Sequence, residues 1–116
     1  MPTTLSSEMY DNGLTIVYIT GDLDTNGTRE IEDDFNDALA QRDGYAIIDM
    51  NGVSFMSSAA LAMFVVQAQA MQRSGGQIYL AGVTAAVHDL FVQAGFDDVF
   101  VMYGSLDEAM SDLGMA

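Results

Sequence analysis

From Tyr45 onward, segments typical of strands alternate strictly with segments typical of helices. Three strand-like runs, Tyr45–Met50, Gln77–Ala81 and Val99–Tyr103, are each followed by an apolar pattern with helical spacing. Two neighbouring strands joined through a helix run parallel, because the crossover returns the chain to the edge of the sheet where it began. The chain is therefore constrained to an α/β fold.

The first 40 residues add a hairpin and one further helix. Glu8–Tyr10 and Leu14–Thr20 are predicted to pair around the turn Asp11-Asn12-Gly13. A loop over residues 21–27 precedes a helix predicted from Thr28 to Arg42. The expected order is β-β-α-β-α-β-α-β-α, a mixed, mostly parallel sheet of four to five strands with about four helices. We expect a single domain over residues 1–116, with an ordered core of about 8–113.

The charge balance excludes several classes of partner. The chain carries 17 acidic residues against three arginines and no lysine. Nucleic acids and anionic membrane surfaces both require cationic side chains, so neither is an expected ligand. No apolar run approaches the roughly 20 residues that span a bilayer, and no signal peptide or cysteine is present. These features predict a cytoplasmic protein without direct membrane insertion.

Residues capable of catalysis are sparse. His88 is the only histidine, so a metal site lacks partner ligands, and a catalytic triad is disfavoured because Ser58 lacks the Gly-x-Ser-x-Gly pattern around it. No glycine-rich phosphate loop follows any strand. Asp24 and Asp49 lie near strand ends and could form a Mg²⁺ site, but local backbone hydrogen bonds are the favoured interpretation. We predict a protein that is not an enzyme, with no metal and no cofactor.

The segment around Ser57-Ser58 has two possible roles. Either serine can cap the helix that is predicted to run to Arg73, and a phosphate would also be stabilised at this helix start. The helix has a core stripe with helical spacing: Leu61, Phe64, Val65, Ala68 and Met71. Ala62, Met63 and Val66 fall outside that stripe. They indicate either burial against neighbouring helices or a docking patch for a partner at the serine end.

Four segments, taken in order, resemble STAS domains, and in particular the bacterial anti-sigma factor antagonists. They are Gly21-Asp22-Leu23-Asp24, Ile47–Met50 with Gly52–Met56, the Gly75-Gly76 pair before a strand, and Val87–Phe96. The resemblance covers nearly the whole chain. It implies a non-enzymatic regulator that binds an anti-sigma factor, itself a GHKL-type serine kinase, and that is switched off when the kinase phosphorylates a loop serine. A phosphatase resets the switch.

The resemblance also places the functional residues. Ser58 takes the phosphorylated position, with Ser57 a weaker candidate because it stands where the family has aspartate. Ala59 and Ala60 replace the family's second hydroxyl residue and its glycine. The predicted partner surface comprises Asp24, Ser57, Ser58, Ala59, Ala62, Met63 and Val66.

Two alternatives stay open at this point. Ala59-Ala60-Leu61-Ala62 is similar to the corresponding run in STAS subunits of phospholipid ABC transport complexes. The other alternative is a STAS scaffold that is never phosphorylated, in which Ser58 is a plain cap.

Overall fold

A computed structural model describes residues 2–40 and 43–114 of the chain. One five-stranded sheet is formed by β1 (Thr4–Met9), β2 (Leu14–Thr20), β3 (Tyr45–Gly52), β4 (Gln77–Ala81) and β5 (Val101–Tyr103), side by side in that order. The helices are α1 (Thr25–Ala38), α2 (Ser58–Arg73), α3 (Ala85–Ala94) and α4 (Leu106–Asp112). β1 is antiparallel to β2 and every other neighbouring pair is parallel. The predicted fold class and element order are confirmed.

The helices divide unequally between the two faces of the sheet. The main core joins α1, α2 and α3 to one face, where Phe35 and Phe64 stack with ring centroids 4.9 Å apart. A smaller cluster joins α4 to the opposite face. The predicted stripe of α2 is buried throughout. None of the helices within the described ranges is long and apolar enough to cross a membrane.

Several predicted boundaries are wrong. β1 begins at Thr4 and ends before Tyr10, so the first strand is longer than the expected Glu8–Tyr10. α1 begins at Thr25, not Thr28, because the Asp24 carboxylate accepts a hydrogen bond from the Gly27 amide at 2.7 Å and caps the helix early. The helix ends at Ala38, and its predicted last residue, Arg42, lies outside the described residues. β5 starts at Val101 instead of Val99.

A hydrogen bond joins the end of the short helix α4 to β5. The Tyr103 hydroxyl on β5 donates a hydrogen bond of 2.5 Å to the Asp112 carboxylate at the end of α4. This bond, with a smaller contribution from burial, raises the pKa of Tyr103 from 10.0 to about 12. The folded state therefore favours the protonated phenol.

We predict that this pairing makes stability fall at alkaline pH. Its contribution is complete below the unfolded pKa of 10.0 and is lost as the pH rises through the folded value of about 12. Spectrophotometric titration of tyrosinate should show a late phase near pH 12 that is absent from Tyr103→Phe. Asp112→Asn is the matched control and should move this phase to lower pH. An unchanged late phase in Tyr103→Phe would contradict the assignment.

Candidate functional site

The site is built where two chain segments leave the sheet side by side. Beyond Thr20 of β2 and Gly52 of β3, the two segments stay side by side and form a parallel bridge between Leu23 and Met56. Leu23 is the centre of this pairing, since its amide donates to the Phe55 carbonyl at 2.9 Å and its carbonyl accepts from the Ser57 amide at 2.7 Å. The Gly21 amide donates a hydrogen bond to the Gly52 carbonyl at 2.9 Å. The pairing brings the start of α1 next to the start of α2.

Side chains reinforce the same junction around Asp22. The Ser54 hydroxyl donates to the Asp22 carboxylate at 3.1 Å, and the Thr3 hydroxyl donates to the Asp22 carbonyl at 2.6 Å. Gly27, in the first turn of α1, packs so closely that a Cβ there would overlap the Asp22 carbonyl oxygen and the Thr3 hydroxyl. The segment before β1, the loop before α1 and the loop before α2 are therefore held together by these contacts.

The two serines at the start of α2 have different positions. Ser57 is the N-cap, and its side-chain oxygen accepts a hydrogen bond from the Ala60 amide at 3.2 Å. Ser58 is the first helical residue and its side chain is exposed. Ser57 thus performs the capping role that the sequence assigned to either serine. The Ser58 hydroxyl is left accessible beside the positive end of the helix.

An open groove of about 410 Å³ runs between α1 and α2. Its apolar lining comes from four of the predicted partner residues on α2: Ala59, Ala62, Met63 and Val66. Ala62 lies one helical turn from Ser58, so the exposed hydroxyl and the groove share one end of α2.

Of the two interpretations open for Ala62, Met63 and Val66, burial is the correct one for Met63. Met63 is 7% exposed, whereas Val66 is 58% exposed and Ala62 is also at the surface. The reason is that α1 packs along α2, which widens the buried sector beyond the stripe that faces the sheet. Met63 forms part of the buried wall of the groove.

The α1 side of the groove was missed by the sequence reasoning. Glu32 and Asn36 line it. The Asn36 side-chain oxygen accepts a hydrogen bond from the side-chain amide of Gln67 on α2 at 2.7 Å. Glu32 and Asn36 are four residues apart and each follows a buried position, Ile31 or Phe35. This spacing was the signal in the sequence that both lie on the same side of α1. Glu32 is exposed and gives one rim of the groove a negative charge.

The two aspartates considered for a metal are engaged locally. The Asp24 carboxylate caps α1, and the Asp49 carboxylate accepts from the backbone amide and the side chain of Asn51 at 3.1 and 2.9 Å. The favoured interpretation of local hydrogen bonds is therefore confirmed for both. His88 is exposed on α3, with its nearest carboxylate, Asp89, 4.0 Å away.

Comparison with protein families identifies the fold's family. The model of the STAS domain matches residues 8–109. The chain belongs to the STAS domain family. A curated relative, the anti-sigma F factor antagonist of Paenibacillus polymyxa, is 21% identical over 105 residues, which is 90% of each chain. The resemblance predicted from the four sequence segments is confirmed.

Solved structures show that this fold serves different proteins. The unphosphorylated form of SpoIIAA, an anti-sigma factor antagonist of Bacillus, superposes with a TM-score of 0.77 at 19% identity, covering 97% of this chain and 98% of that one. The murine anion transporter Slc26a9 matches with the same TM-score at 16% identity, but this chain spans only 22% of it. At such identities the superpositions establish the fold alone.

We predict that Gly27→Ala disturbs the junction. The added Cβ would displace the Asp22 carbonyl or the Thr3 hydroxyl, and overpacking of this kind costs about 1–3 kcal/mol in the free energy of unfolding. Urea denaturation measures the loss. Gly104→Ala is the control, because the Cβ there would meet only the flexible Glu108 carboxylate, at 3.1 Å. Equal effects of the two changes would contradict the assigned role of Gly27.

Proposed function

We propose that this chain is an anti-sigma factor antagonist that binds a serine-kinase anti-sigma factor and releases it when Ser58 is phosphorylated. The observation that carries the proposal is the exposed Ser58 at the start of α2, one turn from an apolar groove. The likeness to an anti-sigma F factor antagonist over 90% of both chains supports the same partner class. The chain acts by binding and by being modified, and not by catalysis.

The groove and the loop form the proposed binding surface. The partner would place apolar side chains against Ala62 and Val66, while Asp24, Ser57, Ser58 and Ala59 border it at the helix start. Apolar contacts that become buried in the groove would provide affinity, and the polar residues at its border would fix the orientation of the partner. The negative charge of Glu32 favours a basic residue on the partner beside the groove.

The charges near Ser58 suggest how phosphate would act. A phosphoserine adds about −1.5 to −2 charges. Asp22 and Asp24 flank Leu23, whose backbone bonds to the residue before Ser58, so carboxylates already lie on this side of the site. Arg73, the only cation on α2, is 15 residues further along, about 22 Å at helical rise. Burying the phosphate against apolar side chains of the partner would therefore cost free energy, because no cation of α2 is near enough to offset its charge.

We predict that the cognate serine kinase adds one phosphate to Ser58. Incubation of the chain with ATP, Mg²⁺ and the GHKL-type kinase of its source genome should raise the intact mass by one phosphate. The phosphorylated chain should bind the kinase at least about tenfold more weakly, because the phosphate has to be desolvated when the partner docks on the adjacent apolar groove. Calorimetry of both forms measures this ratio.

Two serine variants separate modification from capping. Ser58→Ala should take no phosphate and keep the fold. Ser57→Ala should still be phosphorylated, although loss of the cap lowers the free energy of unfolding by about 1 kcal/mol. A wild-type chain that gains no phosphate, or a Ser58→Ala chain that gains one, would contradict the proposed switch.

We predict that Val66→Asp weakens kinase binding by roughly 10- to 100-fold, because it places a charge on the apolar groove. Val92→Asp on α3 is the matched control. Both valines are exposed helical residues, at 58% and 45%, but Val92 does not line the groove. Calorimetric titration of each variant gives the comparison. Equal losses would show a general effect of added charge and would contradict docking at the groove.

The transport alternative predicts a different partner. A STAS subunit of a phospholipid ABC complex would be captured with a permease and an ATPase, whether or not Ser58 is present. Affinity capture of wild type and Ser58→Ala from the native organism distinguishes the two. Recovery of the transporter by both forms would contradict the antagonist proposal, and recovery of a serine kinase would support it.

A further inference from the structure

All five tyrosines of the chain lie on one face of the sheet, opposite α1–α3. Tyr18, Tyr79 and Tyr103 pack on the smaller core cluster. Tyr45 shares its side of β3 with Ile47, a member of that cluster. Tyr10 bonds to Glu8, whose β2 partner, Ile16, is another member. We call these five residues the tyrosine face.

Carboxylates are interleaved with these rings. The Tyr10 hydroxyl donates to Glu8 at 2.9 Å, as the Tyr103 hydroxyl does to Asp112. Asp49 lies on the same side of β3 as Tyr45, since the two are four residues apart in the strand. The hydrogen bond to Glu8 raises the pKa of Tyr10, while burial and then the charges of Glu8 and Asp49 raise that of Tyr18. The hydroxyls thus stay protonated at neutral pH.

The face is only partly covered. The seven-residue helix α4 packs on β3, β4 and β5, and the smaller cluster buries Leu14 and Ile16 of β2, whereas Glu8 of β1 on this face is exposed. Tyr10 and Tyr45 are 42% and 43% exposed. Among the described residues, the two arginines belong to α1 and α2 on the opposite layer, so this face has aromatic rings and negative charge without an arginine of its own.

We propose that the tyrosine face is a second docking surface, whose occupant is an arginine-bearing segment of another protein. Guanidinium groups stack on aromatic rings and pair with carboxylates, and this face offers both groups side by side. A second copy of this chain is disfavoured, since two such faces would meet with like charge and each chain carries a net charge of −14. The surface is on the other side of the sheet from α2, so its occupant leaves the Ser58 site free.

The test uses the full chain and a blocked hexa-arginine peptide as the probe. In two-dimensional ¹H–¹⁵N NMR, the peptide should shift amide signals in β1, β2 and α4. Glu8→Gln with Asp112→Asn should weaken peptide binding roughly tenfold. Glu30→Gln with Asp33→Asn on α1 removes the same amount of charge elsewhere and should change the affinity less than about twofold.

The tyrosines are tested by a second double variant. Tyr10→Ser with Tyr45→Ser keeps every charge and should weaken binding by roughly 5- to 30-fold, which is the expected loss of two exposed cation–π contacts. Signal shifts confined to α1, equal losses in the two charge-removing variants, or unchanged affinity in the tyrosine variant would each overturn the proposal. Hexa-lysine should bind more weakly than hexa-arginine, because ammonium groups stack less well.

Discussion

The parallel backbone bonds that continue beyond β2 and β3 are the constraint on which the rest of the site depends. Through Leu23 they hold two helix starts together, although those starts are 33 residues apart in sequence. The helix propensity of the residues in α1 and α2 does not by itself place the two helix starts side by side. If Leu23 did not bond to Phe55 and Ser57, the cap of α2 and the groove beside α1 would lose their common support.

The two adjacent serines at the start of α2 have separate roles, since Ser57 stabilises the helix and Ser58 is accessible. The Ser57 side-chain oxygen accepts a hydrogen bond from a backbone amide at the helix start, so the cap does not use the Ser58 side chain. The Ser57 hydroxyl is therefore engaged by the backbone, whereas its neighbour Ser58 is exposed. The groove beside Ser58 has a buried wall at Met63 and an exposed rim at Val66, so one short segment combines rigidity with access.

The sequence was sufficient to predict the element order, the parallel sheet and the main stripe of α2, because those depend on local periodicity and crossover geometry. It misplaced the start of α1, since Asn26 and Gly27 resemble a loop until the Asp24 cap and the tight packing of Gly27 are known. It left open whether Met63 is buried or exposed, because helix–helix packing is a non-local property. Glu32 and Asn36 were missed for the same reason.

The concentration of tyrosines on one face has an optical consequence. The chain contains no tryptophan, so its emission on excitation of tyrosine comes from those five rings. That signal reports on the α4 side of the sheet, opposite α2. A partner that changes the emission would thereby reveal which side of the molecule it approaches, without any label being attached.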